Sequence, residues 1–436
     1  MGAAERFAAG SAALGSEWFA AMCRRRPQDF TRRRKMGCAD LVRSIVGRKG
    51  RTLKIELREL RMEHGMPGIS PPGYLRAREK LDPAAVAWLA TSHAARVYDD
   101  GDFRTLAGFV VLAVDGSTAA VPTCAETLAA YGNASTSGRD QAMCGLSCLY
   151  DAVNRQILDL EVTRCGFDER SMVAGHAAAA RCLLGGTPFL LVLDRGYPSA
   201  ELMAALDDAG VSYLMRCPGA FLGAEFRACA SAGGDAEVGV RLTARRLSKS
   251  RRLGAAARDA LVARGLTARF ALVDAGGPEP ERLVTNVGAD RLPHELLAAV
   301  YRARWGAETC FQMLKDRLQM ENFTGTKPVL VEQDIFACAY LLNVAFDLAN
   351  EADAGLPEPA GAHRMTVNRS YALGVAKAEV MRALLAAPER SEGIMRGVLE
   401  EVRGCLVPVR EGRSYSRAGL GKPRANRHSN THKRVF

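Results

Sequence analysis

Residues 109–118 read Phe-Val-Val-Leu-Ala-Val-Asp-Gly-Ser-Thr, an apolar run that ends on an aspartate and a glycine. A short apolar run rich in β-branched residues predicts a buried strand of an α/β sheet. We expect this strand to end at Asp115. An aspartate at the carboxyl end of a buried strand is exposed at the sheet edge while its backbone is held, which is where α/β proteins usually place catalytic groups.

A second run of the same kind follows further along the chain. Residues 189–193, Phe-Leu-Leu-Val-Leu, precede Asp194 in the sequence Asp-Arg-Gly-Tyr. Between the two runs, residues 143–149 and 156–163 predict two strands joined by a turn, and residues 169–184 predict an alanine-rich helix. Strand, hairpin, helix and strand is the order of a mixed α/β domain.

Four polar side chains recur at helical spacing near residue 308. Residues 293–321 contain no internal proline and one glycine, so they predict one helix. At about 100° per residue, Tyr301, Arg304, Glu308 and Lys315 fall within an arc of roughly 60°. A carboxylate flanked by cations suits metal-assisted chemistry on a phosphodiester, with the carboxylate on the metal and the cations on phosphate oxygens.

Each of these features has a simpler explanation when it is taken alone. Arg304 and Glu308 form an i,i+4 pair of the kind found on many solvated helices. An aspartate before a glycine or at a helix start is usually a turn or cap residue, which accounts for Asp115 and Asp194 singly. Together, three converging carboxylates would repel one another unless a divalent metal neutralised them, and the combination favours a metal-dependent site.

Composition favours a nucleic-acid partner. The chain has 436 residues, 48% of them hydrophobic, which is enough for about two to three domains. Lys and Arg number 59 against 48 Asp and Glu, a net charge of +11 that favours a polyanion. The surplus is concentrated in residues 24–35, 240–270 and 410–434. For any one of these segments, charge that only keeps the protein soluble is the alternative.

Other classes of protein are disfavoured. The twelve cysteines include no C-x-x-C pair, which predicts reduced thiols and no zinc site. The amino terminus lacks the apolar core of a signal peptide. The apolar runs at residues 109–114 and 188–193 are strand-sized, and no membrane span is expected. We expect a soluble, cytoplasmic protein.

The pattern of apolar and polar residues divides the chain into three parts. Residues 1–95 predict a helical, DNA-binding module. Residues 96–350 predict the α/β catalytic domain, with a β-rich insertion at about 217–290. Residues 351–436 predict a helical region that ends in a basic tail.

Within the first part, a turn at residues 65–68 separates two predicted helices, the second opened by Ser70 as cap and two prolines. Arg76, Arg78 and Lys80 on the second helix suit contact with DNA. Helix packing without DNA contact is the alternative.

These motifs carry a family resemblance. Asp115 in LAVDGST, Asp194 in VLDRGY, and the Y-(2)-R-(3)-E-(6)-K spacing of residues 301–315 resemble bacterial insertion-sequence DDE transposases of the IS-four type. FTRRRKMGCADLV and ISPPGYLRAREKL, at residues 30–42 and 69–81, are similar to that family's amino-terminal region. The resemblance reaches to about residue 350.

The resemblance implies a fold and a reaction. The fold is a ribonuclease-H-like core with a β-rich insertion between Asp194 and Glu308. The reaction is cut-and-paste transposition, in which Asp115, Asp194 and Glu308 bind two Mg²⁺ or Mn²⁺ ions. Water attacks at the transposon end and frees a 3′-hydroxyl, which then attacks target DNA.

The resemblance also implies partners. The DNA-binding residues are Tyr301, Arg304 and Lys315, which position terminal phosphates, together with Arg195 beside the second aspartate. The partners are double-stranded DNA, as terminal inverted repeats and target, and a second copy of the chain in a homodimer on DNA. Members that form a hairpin end hold a flipped base on an aromatic residue of the insertion. No tryptophan lies in residues 217–290, which leaves Phe221, Phe226 and Phe270.

Three alternatives stay open at this point. One is a metal-dependent nuclease without strand transfer, and another is a non-catalytic DNA-binding protein derived from a transposase. The third is a glycosidase-type carboxylate pair, Asp159 with Glu161 or Asp168 with Glu169. Solvation and helix capping also explain those four residues.

Overall fold

The fold is built on one large mixed sheet with helices packed on it. The computed structural model describes residues 1–32, 34–134, 138–243, 247, 254–274, 276, 279–357 and 364–409. The strands are β1 (Val110–Ala120), β2 (Met143–Asp151), β3 (Ile157–Arg164), β4 (Phe189–Leu193), β5 (Ser212–Arg216), β6 (Asp235–Val240), β7 (Leu266–Val273), β8 (Glu281–Thr285), β9 (Met365–Val367) and β10 (Leu406–Pro408).

Helices precede, interrupt and follow these strands. They are α1 (Ala3–Ala13), α2 (Glu17–Met22), α3 (Cys38–Val46), α4 (Leu53–His64), α5 (Pro71–Arg78), α6 (Pro83–Tyr98), α7 (Ala125–Tyr131), α8 (Val173–Leu184), α9 (Ala200–Asp208), α10 (Gly223–Ser231), α11 (Ala255–Arg264), α12 (His294–Ala303), α13 (Trp305–Gln312), α14 (Pro328–Ala354), α15 (Arg369–Leu385) and α16 (Pro388–Arg403). A 3-10 turn, Glu169–Ser171, precedes α8, and a π-helical turn, Met313–Arg317, follows α13.

The sheet has the strand order β3-β2-β1-β4-β5-β8-β7-β6. β1 pairs antiparallel with β2 and parallel with β4, and β4 pairs parallel with β5. The mixed α/β class predicted from the sequence is therefore confirmed, and this large mixed sheet fits a ribonuclease-H-like core. The predicted strands at 189–193 and in the 143–163 hairpin are confirmed as β4, β2 and β3.

The predicted end of β1 at Asp115 is wrong. β1 runs on to Ala120 because β2 continues to pair with it, as far as Ala120 opposite Met143. On its other side the partner strand does stop, since the last β1–β4 pair is Val114 with Leu193. Asp115 therefore lies in mid-strand with respect to β2, and at an edge with respect to β4.

Residues 217–290 extend the same sheet. β8 pairs antiparallel with β5, and β7 and β6 follow it. The described residues of this segment also form α10 and α11, so the segment is less purely β-rich than predicted. Phe226 and Phe270 are buried, with their rings in edge contact at a centroid distance of 5.0 Å. Of the three candidate aromatic residues, Phe221 alone is partly exposed.

The amino- and carboxyl-terminal helices share one hydrophobic cluster. It joins the helices of residues 3–98 to α14, α15 and α16 and to side chains of β1–β3. The helical character predicted at both ends of the chain is present, while the division into three domains stays a prediction. The basic tail predicted beyond residue 410 lies outside the described residues.

Helix α14 departs from one expectation. By length and composition it is apolar enough to cross a membrane, a feature that the strand-sized apolar runs did not indicate. Of its most apolar window, 83% is buried inside the protein, which is the environment of a core helix. Asp334 on α14 binds Arg78 of α5, with Arg78 Nη2 2.7 Å from Asp334 Oδ1.

That ion pair decides the role of Arg78. The predicted cap is confirmed, since Ser70 Oγ accepts a hydrogen bond from the Gly73 amide at 3.3 Å. Arg78, however, has no exposed surface and also donates to Gln333. The expectation that Arg78 contacts DNA is wrong, because a buried guanidinium must be paired inside the protein. Arg76 on the same helix is exposed.

Candidate active site

Strand register brings the two aspartates together. Val114 of β1 lies opposite Leu193 of β4, so the next residues, Asp115 and Asp194, stand side by side where β4 ends. Neighbouring strands are about 4.8 Å apart. Asp115 Oδ1 accepts a hydrogen bond from the Gly116 amide at 3.0 Å, and Asp194 Oδ1 accepts one from the Arg195 amide at 2.6 Å.

The helix that faces these aspartates is interrupted, and the prediction of a single helix over 293–321 is wrong. α12 ends at Ala303, α13 begins at Trp305, and the chain widens into the π-helical turn at Met313–Arg317. Arg304 keeps helical backbone angles, so the direction of the chain is maintained. Close to the break, Gly306 packs tightly against β2: a Cβ added at Gly306 would lie 3.2 Å from the Tyr150 ring. π-helical turns occur frequently at functional sites.

The four polar side chains nevertheless face β1 and β4. The Tyr301 hydroxyl donates to Asp194 Oδ1 at 3.3 Å. Arg304 Nη2 donates to Glu308 Oε1 at 2.9 Å, and its Nη1 lies 4.0 Å from Asp115 Oδ2. Lys315 Nζ donates to the Ser117 hydroxyl at 2.7 Å. The structure thus gathers the residues predicted from three separate segments at one edge of the sheet.

We call Asp115, Asp194 and Glu308 the carboxylate site. Arg304 lies among them and is only 5% exposed. Burial opposes its charge, but the hydrogen bond to Glu308 and the nearby Tyr301 and aspartates outweigh burial and raise the pKa of Arg304. The guanidinium is therefore a fixed cation at the centre of the site.

The pKa of Asp115 is raised. Burial raises the pKa of Asp115 to about 6, and the charges of Glu308 and Glu169 raise it further, while Arg304 and the Gly116 amide oppose them. A carboxyl group with a raised pKa beside other carboxylates is typical of a functional site. Burial likewise raises the pKa of Tyr301 to about 12, so its hydroxyl remains a donor to Asp194.

Glu169 is a functional candidate that the sequence did not assign to this site. It lies in the 3-10 turn before α8 and packs against Gly116, where an added Cβ would overlap Glu169 Oε1. Glycine therefore follows Asp115 because Glu169 fills the space. Tyr197, from Asp-Arg-Gly-Tyr, is buried beside it, and burial together with Glu169 and Asp115 raises its pKa. The only signal in the sequence was Glu169's candidacy for a different carboxylate pair.

The carboxylate site suits a divalent cation in its chemistry, because Mg²⁺ and Mn²⁺ prefer carboxylate oxygens. Within the described ranges, no three His, Cys, Asp or Glu side chains are placed to hold one ion together. The Arg304 guanidinium offsets part of the negative charge of the carboxylates in this arrangement. The Glu308 side chain is 38% exposed, which leaves it room to change rotamer.

The alternative carboxylate pairs have other partners. Asp159 binds His176, with Oδ2 2.8 Å from Nδ1. Asp168 Oδ1 accepts from the Arg170 amide and caps the 3-10 turn, as the simpler explanation predicted. Neither pair is a free couple of carboxylates of the kind that glycosidases use.

The sequence matches the family described as the transposase DDE domain over residues 107–344. The match covers more than half of the chain and includes the whole carboxylate site. The chain therefore belongs to this family and is a DNA transposase of the IS-four type.

Two known transposases are similar to this chain, one in sequence and one in structure. The chain is 24% identical over 366 residues to transposase InsG for insertion sequence element IS4 of Escherichia coli (strain K12), an alignment covering 82% of this chain and 78% of that one. Its structure is also similar to the cryo-EM structure of the piggyBac transposase synaptic complex with hairpin DNA, at a TM-score of 0.42 and 9% identity, covering 94% and 87% of the two chains.

Proposed function

We propose that this transposase moves an insertion sequence by cut and paste, by cleaving DNA at the element's ends and joining the freed 3′-hydroxyls to target DNA. The observation that supports this most directly is the β1–β4 register, which sets Asp115 beside Asp194 opposite Glu308. We infer that these three carboxylates converge at this edge of the sheet when the site is loaded. A single scaffold could therefore serve both hydrolysis and strand transfer, since both are displacements at phosphorus.

The carboxylate site would hold two Mg²⁺ or Mn²⁺ ions. When bound, such ions activate the attacking oxygen and stabilise the leaving oxygen of an in-line displacement. The chain's own contribution is positional: Tyr301 orients Asp194 through its hydroxyl, and Arg304 separates carboxylates that would otherwise repel one another.

The side chains proposed to contact DNA differ in whether they are exposed or already bonded within the protein. Arg195 is exposed beside Asp194 and can meet a phosphate directly. Tyr301, Arg304 and Lys315 are engaged with the protein, and Lys315 Nζ is held by the Ser117 hydroxyl and, at 2.6 Å, the Thr118 carbonyl. For these three, a contact with DNA requires an exchange of partners when the site is loaded. The proposed partner is double-stranded DNA, as terminal inverted repeats and target.

The decisive experiment incubates the protein with Mg²⁺ or Mn²⁺, a DNA fragment carrying the element's terminal repeats, and a target plasmid. We expect cleaved ends and joined products, and we expect Glu308→Gln to abolish both while the protein still binds end DNA. Glu389→Gln, an exposed position on α16, is the matched control. Cleavage without joining would favour a nuclease, and a wild-type protein no more active than Glu308→Gln would favour a non-catalytic binding protein.

Two further proposals concern the assembly and its place in the cell. Synapsis of two element ends favours a homodimer on DNA, which light scattering with and without end DNA measures. A mass that stays at one chain per end would contradict it. The proposed location is the cytoplasm, where the bacterial nucleoid is reached directly.

A further inference from the structure

A basic cleft lies apart from the carboxylate site. Its volume is about 560 Å³, and it is bounded by the β2–β3 turn, the start of α15, and strands β9 and β10. Four guanidinium groups line it, those of Arg104, Arg155, Arg364 and Arg369. Nothing in the carboxylate site uses these residues.

The positive charge of the cleft is largely uncompensated. Asp353 is the single acid among the lining residues, and it is bound by Arg369 at 2.8 Å. Arg104 donates to the Val153 carbonyl at 3.2 Å. Arg155 and Arg364 make no hydrogen bond or ion pair through their side chains within the part of the chain that the structure describes. Two guanidiniums are therefore free to meet an anion.

The backbone holds Arg155 in this position at a cost. Arg155 has φ +57°, in the left-handed region that residues other than glycine seldom adopt. Its amide donates to the Asp151 carbonyl at 2.8 Å, which closes the β2–β3 turn and fixes the residue. Burial lowers the pKa of Arg369, and the nearby charge of Arg155 lowers it further. Like charges held together in this way would be relieved by a bound anion.

Two features indicate a polymer rather than a small ion. The cleft is an open groove that also receives the amino-terminal end of α15, where the helix dipole favours negative charge. Val409 lines the cleft, and the sequence that follows it, residues 410–436, carries eight Lys or Arg and one Glu. Basic charge in the cleft and in the adjoining sequence suits a long polyanion.

The position of the cleft suits DNA that is engaged at the carboxylate site. The β2–β3 turn begins at Asp151, which pairs with Leu112, three residues along β1 from Asp115. That separation is about 10 Å of strand, or roughly three base steps of duplex DNA. A duplex that enters the carboxylate site can therefore extend over the cleft.

We propose that this cleft binds the sugar-phosphate backbone of duplex DNA next to the cleaved bond, independently of base sequence. Arginine contacts to phosphates position a duplex without reading it. The inference rests on the proposed function, since it takes DNA as the substrate. It adds a second binding surface, made of Arg155, Arg364 and their neighbours, to the carboxylate site.

The test is duplex binding by the full-length protein, measured by fluorescence anisotropy with random-sequence DNA of about three helical turns. The double variant Arg155→Gln/Arg364→Gln should bind roughly tenfold more weakly at about 150 mM salt. Its slope of log Kd against log salt should fall by about two, because two phosphate contacts are lost. Arg382→Gln/Arg390→Gln removes the same charge from exposed positions on α15 and α16 and should match wild type.

The outcomes separate this inference from the function on which it rests. If wild-type protein cleaves DNA and the two double variants bind duplex equally well, the cleft proposal fails and the function stands. If wild-type protein binds no duplex at all, both fail. Thermal unfolding at the wild-type temperature shows that a weakened variant is folded. Displacement of the duplex by inorganic phosphate at about 1 mM would indicate a small-anion site and would also overturn the proposal.

Discussion

Among the residues that the structure describes, two groups of three resemble a catalytic site in their residue types, and they differ in whether a substrate has access to them. Besides the carboxylate site, the structure contains a chain of hydrogen bonds through Ser147 of β2, His176 of α8 and Asp159 of β3. His176 Nε2 lies 2.8 Å from Ser147 Oγ, and its Nδ1 lies 2.8 Å from Asp159 Oδ2. We call these three residues the buried relay. In residue types and order they match the triad of serine hydrolases.

Access and charge separate the two groups. Ser147 has no exposed surface and His176 is 1% exposed, so no substrate reaches the hydroxyl. The buried relay is internally paired, and it ties α8 to two strands. The carboxylate site has surplus negative charge around one guanidinium and an exposed Glu308 side chain. Hydrogen-bond geometry alone would therefore favour the buried relay, whereas unbalanced charge at an accessible edge favours the carboxylate site, which is the site that we propose.

The largest expected effect comes from making the same change in both groups. Asp194→Asn should reduce DNA cleavage by at least about 10³-fold, because the amide removes a carboxylate from the reacting centre, and stability should change little. Asp159→Asn should leave cleavage per folded molecule within about twofold and should lower the free energy of unfolding by about 1–2 kcal/mol. End cleavage with Mg²⁺ and urea unfolding measure the two effects. A loss of cleavage in Asp159→Asn would give the buried relay a functional role.

The next effect concerns stability alone. His176→Ala should lower the free energy of unfolding by about 2–4 kcal/mol, because it leaves the buried Ser147 and the partly buried Asp159 unpaired and opens a cavity beneath α8. The comparison is His64→Ala, at the carboxyl-terminal end of α4, which should change it by less than about 0.5 kcal/mol. Urea unfolding at pH 7 provides both values. Equal effects of the two substitutions would show that the relay does not support the fold.

At the carboxylate site, replacing Asp115 by asparagine should stabilise the protein at high pH. Burial raises the pKa of Asp115 from 3.8 to about 6, so the folded protein binds this proton more tightly than the unfolded chain does. Stability from this group is therefore highest below pH 4 and falls as the pH rises through about 6. Asp115→Asn should raise the free energy of unfolding by about 1–3 kcal/mol at pH 8, measured without divalent metal, and by nothing at pH 4.

The control for that measurement is Asp316→Asn, on the exposed side of the π-helical turn. It should change stability by less than about 0.5 kcal/mol at either pH. A destabilising effect of Asp115→Asn at pH 8 would mean that attraction to Arg304 exceeds the cost of burying the carboxylate.

Local patterns in the sequence predicted the secondary-structure elements well, and they predicted the contacts between those elements less well. The β4 strand was predicted at its observed bounds because its apolar run is bounded on both sides. The end of β1 was predicted wrongly. Whether this strand continues past Asp115 depends on its pairing with β2, and the apolar run at residues 109–114 does not encode that pairing. The break at Arg304 escaped prediction because the residues around it keep helical periodicity.

The sequence also did not predict which charged side chains are buried. Arg78 reads as a surface residue from its type, and its partner Asp334 lies 256 positions further along the chain. Arg304 reads as a DNA contact from its motif, although it is buried among the carboxylates. For both, the deciding fact is a long-range partner, and no single-sequence pattern indicates one. The family resemblance supplied the three carboxylates, but it gave no sign of Glu169.

The smallest effect expected is on the pH dependence of cleavage, and it tests Glu169. Gly116→Ala places a methyl group where Glu169 Oε1 now lies, so the carboxylate must shift, and we expect it to move away from Asp115. Because the negative charge of Glu169 raises the pKa of Asp115, its removal should shift the acid limb of the cleavage profile to lower pH. Glu169→Gln should shift it in the same direction, and the rate at pH 8 should change by less than about threefold in both variants.

The matched control is a glycine beside the buried relay. Gly175, next to His176 in α8, has open space around it, so Gly175→Ala should leave the pH profile unchanged and stabilise the protein by about 0.5–1 kcal/mol. If Gly116→Ala and Gly175→Ala both left the profile unchanged while Glu169→Gln shifted it, the packing of Glu169 against Gly116 would not matter to the site. If all three left it unchanged, Glu169 would be a neighbour of the carboxylate site with no influence on the ionisation of Asp115.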